Sequence, residues 1–161
     1  MAKFEFTGLE SYIAELERLR TSAEGITKKA LYEGAAIVAD DVRYAVEALP
    51  TDERWGTQGK PSNGIRKGQK EALASGLGVA PFQSEGDRID TLVGFSGYSN
   101  YKTPKYPDGQ PLALIARVAE SGTSFSKKTP FVRKAVRKAK PKAEAKIKEV
   151  FESEIEKAMK G

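Results

Sequence analysis

The chain has 161 residues, of which 39% are hydrophobic and 30% charged, a size that accommodates one domain core but not two independent ones. Lys and Arg number 27 against 22 Asp and Glu, so the formal net charge is +5. There is no Cys and no His, which excludes disulfides, thiolate nucleophiles and Cys-ligated metals and argues against most triad and zinc chemistry.

The first 22 residues are predicted to form a strand-helix arm. Phe4 and Phe6 project to one face of a short strand over residues 2–7. Thr7 is the predicted N-cap of a helix, with Glu10 three residues later in a capping-box arrangement. Apolar residues then recur at helical spacing as far as a helix end near residues 21–22, namely Leu9, Tyr12, Ile13, Leu16 and Leu19.

The start of the chain lacks the apolar run of a signal peptide, because charged and aromatic residues alternate there. No segment approaches the roughly 20 apolar residues that a membrane span needs. We therefore expect a protein of an aqueous, cytoplasm-like setting with no membrane partner.

A second, long helix is predicted over residues 23–49, where apolar residues keep helical spacing until Pro50 ends it. Its small residues would let another backbone approach closely, and they are Gly34, Ala35, Ala36 and Ala39. Two alternatives account for them: close packing inside one domain, or a contact between subunits.

Two long loops are predicted, over residues 51–70 and 97–110, from their Gly, Pro and polar content. The only Trp, Trp55, lies in the first loop and is either a lid over the core or an anchor in a partner's pocket. Between the loops, residues 89–95 are rich in β-forming residues and residues 74–82 form a weaker strand candidate. At least one antiparallel hairpin is expected.

Two more helices are predicted in the last third of the chain. Pro111 is placed in the first turn of a short helix through Ala119, with Gly122 as its terminator, and a strand is the alternative. Thr129 and Pro130 are the predicted N-cap and first residue of a C-terminal helix over residues 129–161. Pro141 should kink or break this helix, because proline removes a hydrogen bond from its interior.

These elements predict a single α+β domain over residues 1–161, in which the long helix of the N-terminal half and a basic C-terminal helix pack on a small antiparallel sheet.

A basic run follows the predicted Gly122 turn. Between residues 127 and 148 the run has one acidic residue, Glu144, and ten basic ones. The basic residues are Lys127, Lys128, Arg133, Lys134, Arg137, Lys138, Lys140, Lys142, Lys146 and Lys148. Acidic residues then take over at Glu149, Glu152, Glu154 and Glu156. The run could contact nucleic acid phosphates or an acidic surface of a neighbouring subunit, or it could be a solvated helix face. Predicted partner or DNA contacts are Trp55, Lys127, Lys128, Arg133, Lys134, Arg137 and Lys138.

No motif predicts catalysis, a cofactor or a metal. Gly94-Phe95-Ser96-Gly97 has its second Gly one residue too early for a nucleophile elbow. Residues 56–70 lack the Gly-Lys-Ser/Thr ending of a phosphate-binding loop. Asp40 and Asp41 are neighbours on a helix, so their side chains diverge by about 100° and are expected to be solvated. We expect a protein that is not an enzyme.

One series of residues resembles a known family. It comprises Ala119-Glu120-Ser121-Gly122-Thr123, a short polar link, and Thr129-Pro130-Phe131-Val132-Arg133-Lys134-Ala135-Val136. This series is similar to the neck and tail-completion family of long-tailed phages, which includes proteins similar to lambda minor tail protein Z. Its structural motif residues here would be Glu120, Gly122, Thr123, Pro130 and Phe131. Many relatives carry Pro where this chain has Lys134.

Upstream features extend the resemblance to most of the chain, from about residue 23 to the end. They are the long Ala-rich helix ending at Pro50 and the string Gly56-Thr57-Gln58-Gly59-Lys60-Pro61-Ser62. The resemblance implies an α+β protomer without catalytic activity in a homo-oligomeric ring or collar, either at the neck or completing the tail. Implied partners are other copies, other head-tail junction and tail proteins, and duplex DNA passing through the junction.

Overall fold

The computed structural model describes residues 9–86 and 88–160. Helix α1 covers Leu9–Glu47, α2 Lys67–Gly76, α3 Leu112–Ser121 and α4 Val132–Lys160. Four strands of three residues lie between α2 and α3: β1 (Leu77–Val79), β2 (Gln83–Glu85), β3 (Arg88–Asp90) and β4 (Val93–Phe95). The predicted α+β class is confirmed. The predicted strand over residues 2–7 and the Thr7 N-cap lie outside the described residues.

Helix α1 is continuous, so the predicted helix end near residues 21–22 is wrong. No proline interrupts this stretch, and the Thr21 hydroxyl is accommodated within the helix because it donates to the carbonyl oxygen of Glu17 at 2.6 Å. Thr27 bonds back to Ala23 in the same way at 2.8 Å. The helix ends at Glu47, two residues before the predicted end, and a last turn closes where the Leu49 N–H donates to Val46 at 3.1 Å.

Helices α1 and α4 form a long antiparallel pair. Lys29 contacts Glu154 at 2.7 Å, and farther along α1 Asp41 contacts Lys142 at 2.7 Å. A Cβ atom on Gly34 would lie 2.6 Å from the side chain of Ile147 in α4. The small residue therefore serves packing between these two helices, which favours the first of the two alternatives. Asp41 is buried, so the expectation that it is solvated is wrong.

The strands form one bent hairpin with two antiparallel ladders instead of one sheet. In the first ladder β1 pairs with β4, from Leu77 opposite Phe95 to Val79 opposite Val93. In the second β2 pairs with β3, and Glu85 lies opposite Arg88 at the turn. The predicted strand over residues 89–95 is thus split in two, and residues 74–76 of the other candidate belong to α2. The hairpin itself was expected.

The core lies where the C-terminal half of α1 meets α2, α3, the first ladder and the start of α4. Its buried residues are Val42, Val46, Leu49, Ile65, Leu73, Leu77, Leu112, Ile115, Ala116, Ala119, Phe131 and Ala135. Helix α3 occupies the predicted position, directly after Pro111, and Gly122 ends it with φ +71°. The alternative strand there is wrong.

Helix α4 begins at Val132 instead of at Thr129 and Pro130, and it runs through Pro141 without a break. Ala139 and Ala143 are buried on either side of Pro141, so packing holds the helix together across the missing hydrogen bond. Helix α2 starts at Lys67, which shortens the predicted loop of residues 51–70 to residues 51–66.

Among the described residues, no helix is both long and apolar enough to cross a membrane.

Candidate assembly surfaces

The Glu120 carboxylate caps the start of α4. It accepts hydrogen bonds from the backbone N–H groups of Phe131 at 2.8 Å, Val132 at 2.9 Å and Arg133 at 3.2 Å. These are donors that the first turn of a helix leaves without intrahelical partners, and a carboxylate also offsets the positive end of the helix dipole. Glu120 takes the capping role that Thr129 was predicted to have. It is placed there by the last turn of α3.

The turn between α3 and α4 requires a residue without a side chain at Gly122. A Cβ atom there would lie 2.9 Å from the backbone nitrogen of Lys128, and its φ of +71° disfavours other residues. Thr123 then closes a small turn, since its hydroxyl oxygen accepts from the N–H groups of Phe125 at 3.2 Å and Ser126 at 3.1 Å. Pro130 is half-buried, and Phe131 is 4% exposed.

The loop of residues 51–66 packs directly on this turn. Ser62 donates its N–H to the carbonyl of Phe125 and accepts from the N–H of Lys127, both at 2.9 Å. A Cβ atom on Gly56 would lie 1.7 Å from the Phe125 carbonyl oxygen. The structure therefore joins residues 56–62 and residues 120–131, the two segments that carry the family resemblance on either side of the central hairpin.

Asp52 organises the same loop. Its carboxylate binds the Arg54 guanidinium at 2.9 Å and accepts the N–H of Asn63 at 2.9 Å. The Arg54 side chain, together with these backbone donors, holds the pKa of the Asp52 carboxyl well below its usual range. The loop thus has a defined shape in spite of its glycines.

Trp55 lies at the mouth of a cavity of about 230 Å³. Its side chain is 63% exposed, and the core residues Ile65 and Ile115 also line this cavity. The Arg66 guanidinium stacks 3.7 Å from the centroid of the Trp55 ring and lies 5.2 Å from that of Tyr101. Phe125, 53% exposed, shares the cavity wall. Trp, Tyr and Arg are the residues that contribute most to protein interfaces.

The sequence alone did not single out Arg66 or Phe125. The signal that could have identified Arg66 is an arginine near the lone tryptophan in a Gly-rich loop, but the stacking itself depends on how residues 51–66 fold.

The basic residues at the start of α4 are exposed and carry no ion pair within the described chain. We call Arg133, Lys134, Arg137 and Lys138 the basic face. Lys127 and Lys128, in the preceding turn, are likewise exposed and without an ion pair among the described residues. Later cations of the run differ, because Lys142 contacts Asp41, while Lys140, Lys146 and Lys148 lie 3.9, 3.4 and 3.9 Å from Glu144, Glu149 and Glu152.

The predicted contact residues, Trp55 on one hand and the cations of the basic face on the other, do not form one site. Residues 114, 115 and 118 of α3 line the Trp55 cavity, whereas residues 113, 116, 117 and 120 line a separate groove that includes part of the basic face. Helix α3 lies between them. Described residues contain no group of three or more His, Cys, Asp and Glu arranged to hold a metal ion.

Comparison with known proteins found no match to a protein-family model, to a curated protein or to a solved structure.

Proposed function

We propose that this chain is a structural protein of the phage head-tail junction, either a neck or a tail-completion component, that acts in assembly and tail attachment. The observation that carries the proposal is the contact network between residues 56–62 and residues 120–131. Two sequence segments that resemble the family are distant along the chain, yet they form one structural unit. An assembly role also accords with the surface, which offers an exposed Trp55 beside Arg66 and a basic face without ion pairs to the described residues.

In this role the protein acts in the virion, and in the host cytoplasm during assembly. Its partners are other copies of the chain in a ring and other proteins of the head-tail junction and tail, and duplex DNA passes through the junction.

Deletion of the gene from the phage or prophage that encodes it tests the proposal. We expect DNA-filled heads and separate tails in electron micrographs, with infectivity reduced by several orders of magnitude because heads and tails do not join. Supplying the intact chain from a plasmid should restore joined particles. Particles that keep firmly attached, infective tails without the protein would show that the proposal is wrong.

A second function, a free DNA-binding protein, is favoured by the basic face. Its four cations lie within two turns of α4 and have no ion pair among the described residues. Cations arranged in this way can neutralise phosphates and release counterions, so binding would weaken steeply with salt.

This second function is tested by fluorescence anisotropy with duplex DNA at increasing salt concentration. Reversing the basic face with Arg133→Glu, Lys134→Glu, Arg137→Glu and Lys138→Glu should remove measurable binding. A control of equal net charge reverses four exposed lysines elsewhere, Lys60, Lys67, Lys102 and Lys105. Equal loss in both variants, or no affinity of the unaltered chain at low salt, contradicts a DNA site on α4.

A further inference from the structure

The first turns of α1 have an exposed apolar face. Among the α1 side chains that the structure describes, the first buried one is Ile26, and we call residues 9–25 the α1 overhang. Ile13 is 61% and Leu16 47% exposed with respect to the described chain. Because Lys29 lies level with Glu154, a rise of 1.5 Å per residue places the last described residue of α4 near the level of residue 23. The first turns of the overhang therefore extend beyond the helix pair, while Glu15 still lines a shallow groove with Ile155 and Met159 of α4.

A groove at the opposite end of the helix pair has an apolar floor and a basic rim. It encloses about 770 Å³ between β4, α3 and the first turns of α4, and we call it the β4–α3–α4 groove. Phe95, Val132 and Val136 contribute to its floor, and Val136 is 40% exposed although it belongs to the apolar stripe of α4. The rim contains four cations, Arg117, Arg133, Arg137 and Lys140.

Among the described residues, the one rim cation near an acidic residue outside the groove is Lys140, which lies 3.9 Å from Glu144. Glu120 is the acidic residue of the groove lining, and its carboxylate is already occupied by the three N–H groups of α4. Arg117, Arg133 and Arg137 have no ion pair among residues 9–86 and 88–160. An acidic, amphipathic segment is the kind of partner that suits such a groove.

The overhang has these properties. Residues 9–17 contain Glu10, Glu15 and Glu17 and no Lys or Arg, and they carry the exposed Ile13 and Leu16. The nearest cations of the overhang, Arg18 and Arg20, follow this acidic stretch, and Arg20 lies 4.0 Å from Glu17 in a solvated pair that contributes little. Eight residues of helix span about 12 Å, which matches the length of α4 from Val132 to Lys140 along the groove.

A chain cannot fill its own groove. Val136 lies near the level of residue 47 of α1, if the pairing of Asp41 with Lys142 is extended along the two helices. Leu16 is about 31 residues from that level, so roughly 45 Å of helix separate the two surfaces. Contact between them therefore requires a second copy, and repetition of the contact in one direction closes into a ring or continues as a filament.

We propose that the α1 overhang of one copy docks in the β4–α3–α4 groove of the next, with Ile13 and Leu16 on the apolar floor and Glu15 and Glu17 facing the arginine rim. The proposal deepens the assembly function and rests on it for its biological meaning, but the contact can be measured on the isolated protein. A second copy is the occupant because the chain itself supplies the matching segment at the opposite end of the molecule.

The absence of Cys makes a crosslinking test direct. A Leu16→Cys and Val136→Cys double variant, treated with a mild oxidant or a short bismaleimide, should give a ladder of covalent oligomers on a denaturing gel. Each single variant should give no species larger than a dimer. The matched control combines Leu16→Cys with Tyr32→Cys, whose site is 56% exposed and lies far from the groove, and it should give no ladder.

Charge exchange tests specificity. Arg133→Glu with Arg137→Glu, made in the double-cysteine chain, should reduce ladder yield at least about tenfold. Adding Glu15→Arg and Glu17→Arg to the same chain should restore it, a recovery that misfolding of the groove would not allow.

Two results overturn the inference. One is an absent ladder although light scattering shows the Cys-free chain to be oligomeric, which would place the subunit contact elsewhere and leave the proposed function intact. The other is a protein that stays monomeric in light scattering at every concentration and gives no ladder after crosslinking. Conversely, a ladder in the purified protein together with infective particles after gene deletion would contradict the proposed function and retain the overhang-groove contact.

Discussion

Replacing Phe131 by alanine is expected to lower the free energy of unfolding by about 3–5 kcal/mol. The side chain is 4% exposed and belongs to the central core cluster. Its ring lies 6.2 Å from that of Phe95 at an interplanar angle of 52°, a tilted arrangement that aromatic pairs favour. Truncation removes these contacts and leaves a cavity at the point where α4 joins the core.

Urea denaturation followed by circular dichroism measures this effect. Phe125→Ala is the matched control, because Phe125 is 53% exposed and its loss should change stability by no more than about 0.5 kcal/mol. Equal midpoints for Phe131→Ala and the unaltered chain would contradict the role of Phe131 as the anchor of α4.

Local patterns in the sequence predicted the elements that depend on local interactions. Apolar spacing identified the long helices, and the pair Pro111 and Gly122 bounded α3 correctly because one favours a helix start and the other an end with positive φ. The same spacing could not show that α1 continues through residues 21–22. Polar residues such as Thr21 are typical of helix ends, and only the structure shows its hydroxyl bonded back into the helix.

The remaining differences between the sequence-based predictions and the structure arise from contacts between residues that are distant along the chain. The cap of α4 comes from Glu120, 11 residues before Phe131, so no capping pattern adjacent to the helix could reveal it. The basic run was visible in the sequence, but its division into paired and unpaired cations depends on partners such as Asp41, which is distant along the chain.

The candidate surfaces could not be predicted from the sequence for the same reason, because elements distant along the chain form them together. Val136 belongs to the apolar stripe of α4 by its spacing, yet the structure leaves it 40% exposed because β4 and α3 form a groove beside it. Apolar periodicity therefore identifies a buried helix face only where a neighbouring element covers that face.

Replacing Glu120 by alanine is expected to lower the free energy of unfolding by about 2 kcal/mol, the second largest effect that we predict. Three backbone N–H groups of α4 would lose a charged acceptor at once. The positive end of the helix dipole would also lie beside the arginines of the basic face without its carboxylate. The first turn of α4 should loosen, and that turn holds both Phe131 and the wall of the groove.

Hydrogen exchange of the Phe131, Val132 and Arg133 amides checks the cause, and urea denaturation checks the magnitude. Glu120→Gln keeps one acceptor oxygen without the charge, so it should lose only part of the stability. Glu144→Ala is the control. This exposed residue of α4 forms a loose, solvated ion pair with Lys140 at 3.9 Å, and such surface pairs contribute little to the free energy of unfolding. If Glu120→Ala destabilises the protein no more than Glu144→Ala does, the carboxylate is not the cap on which the start of α4 depends.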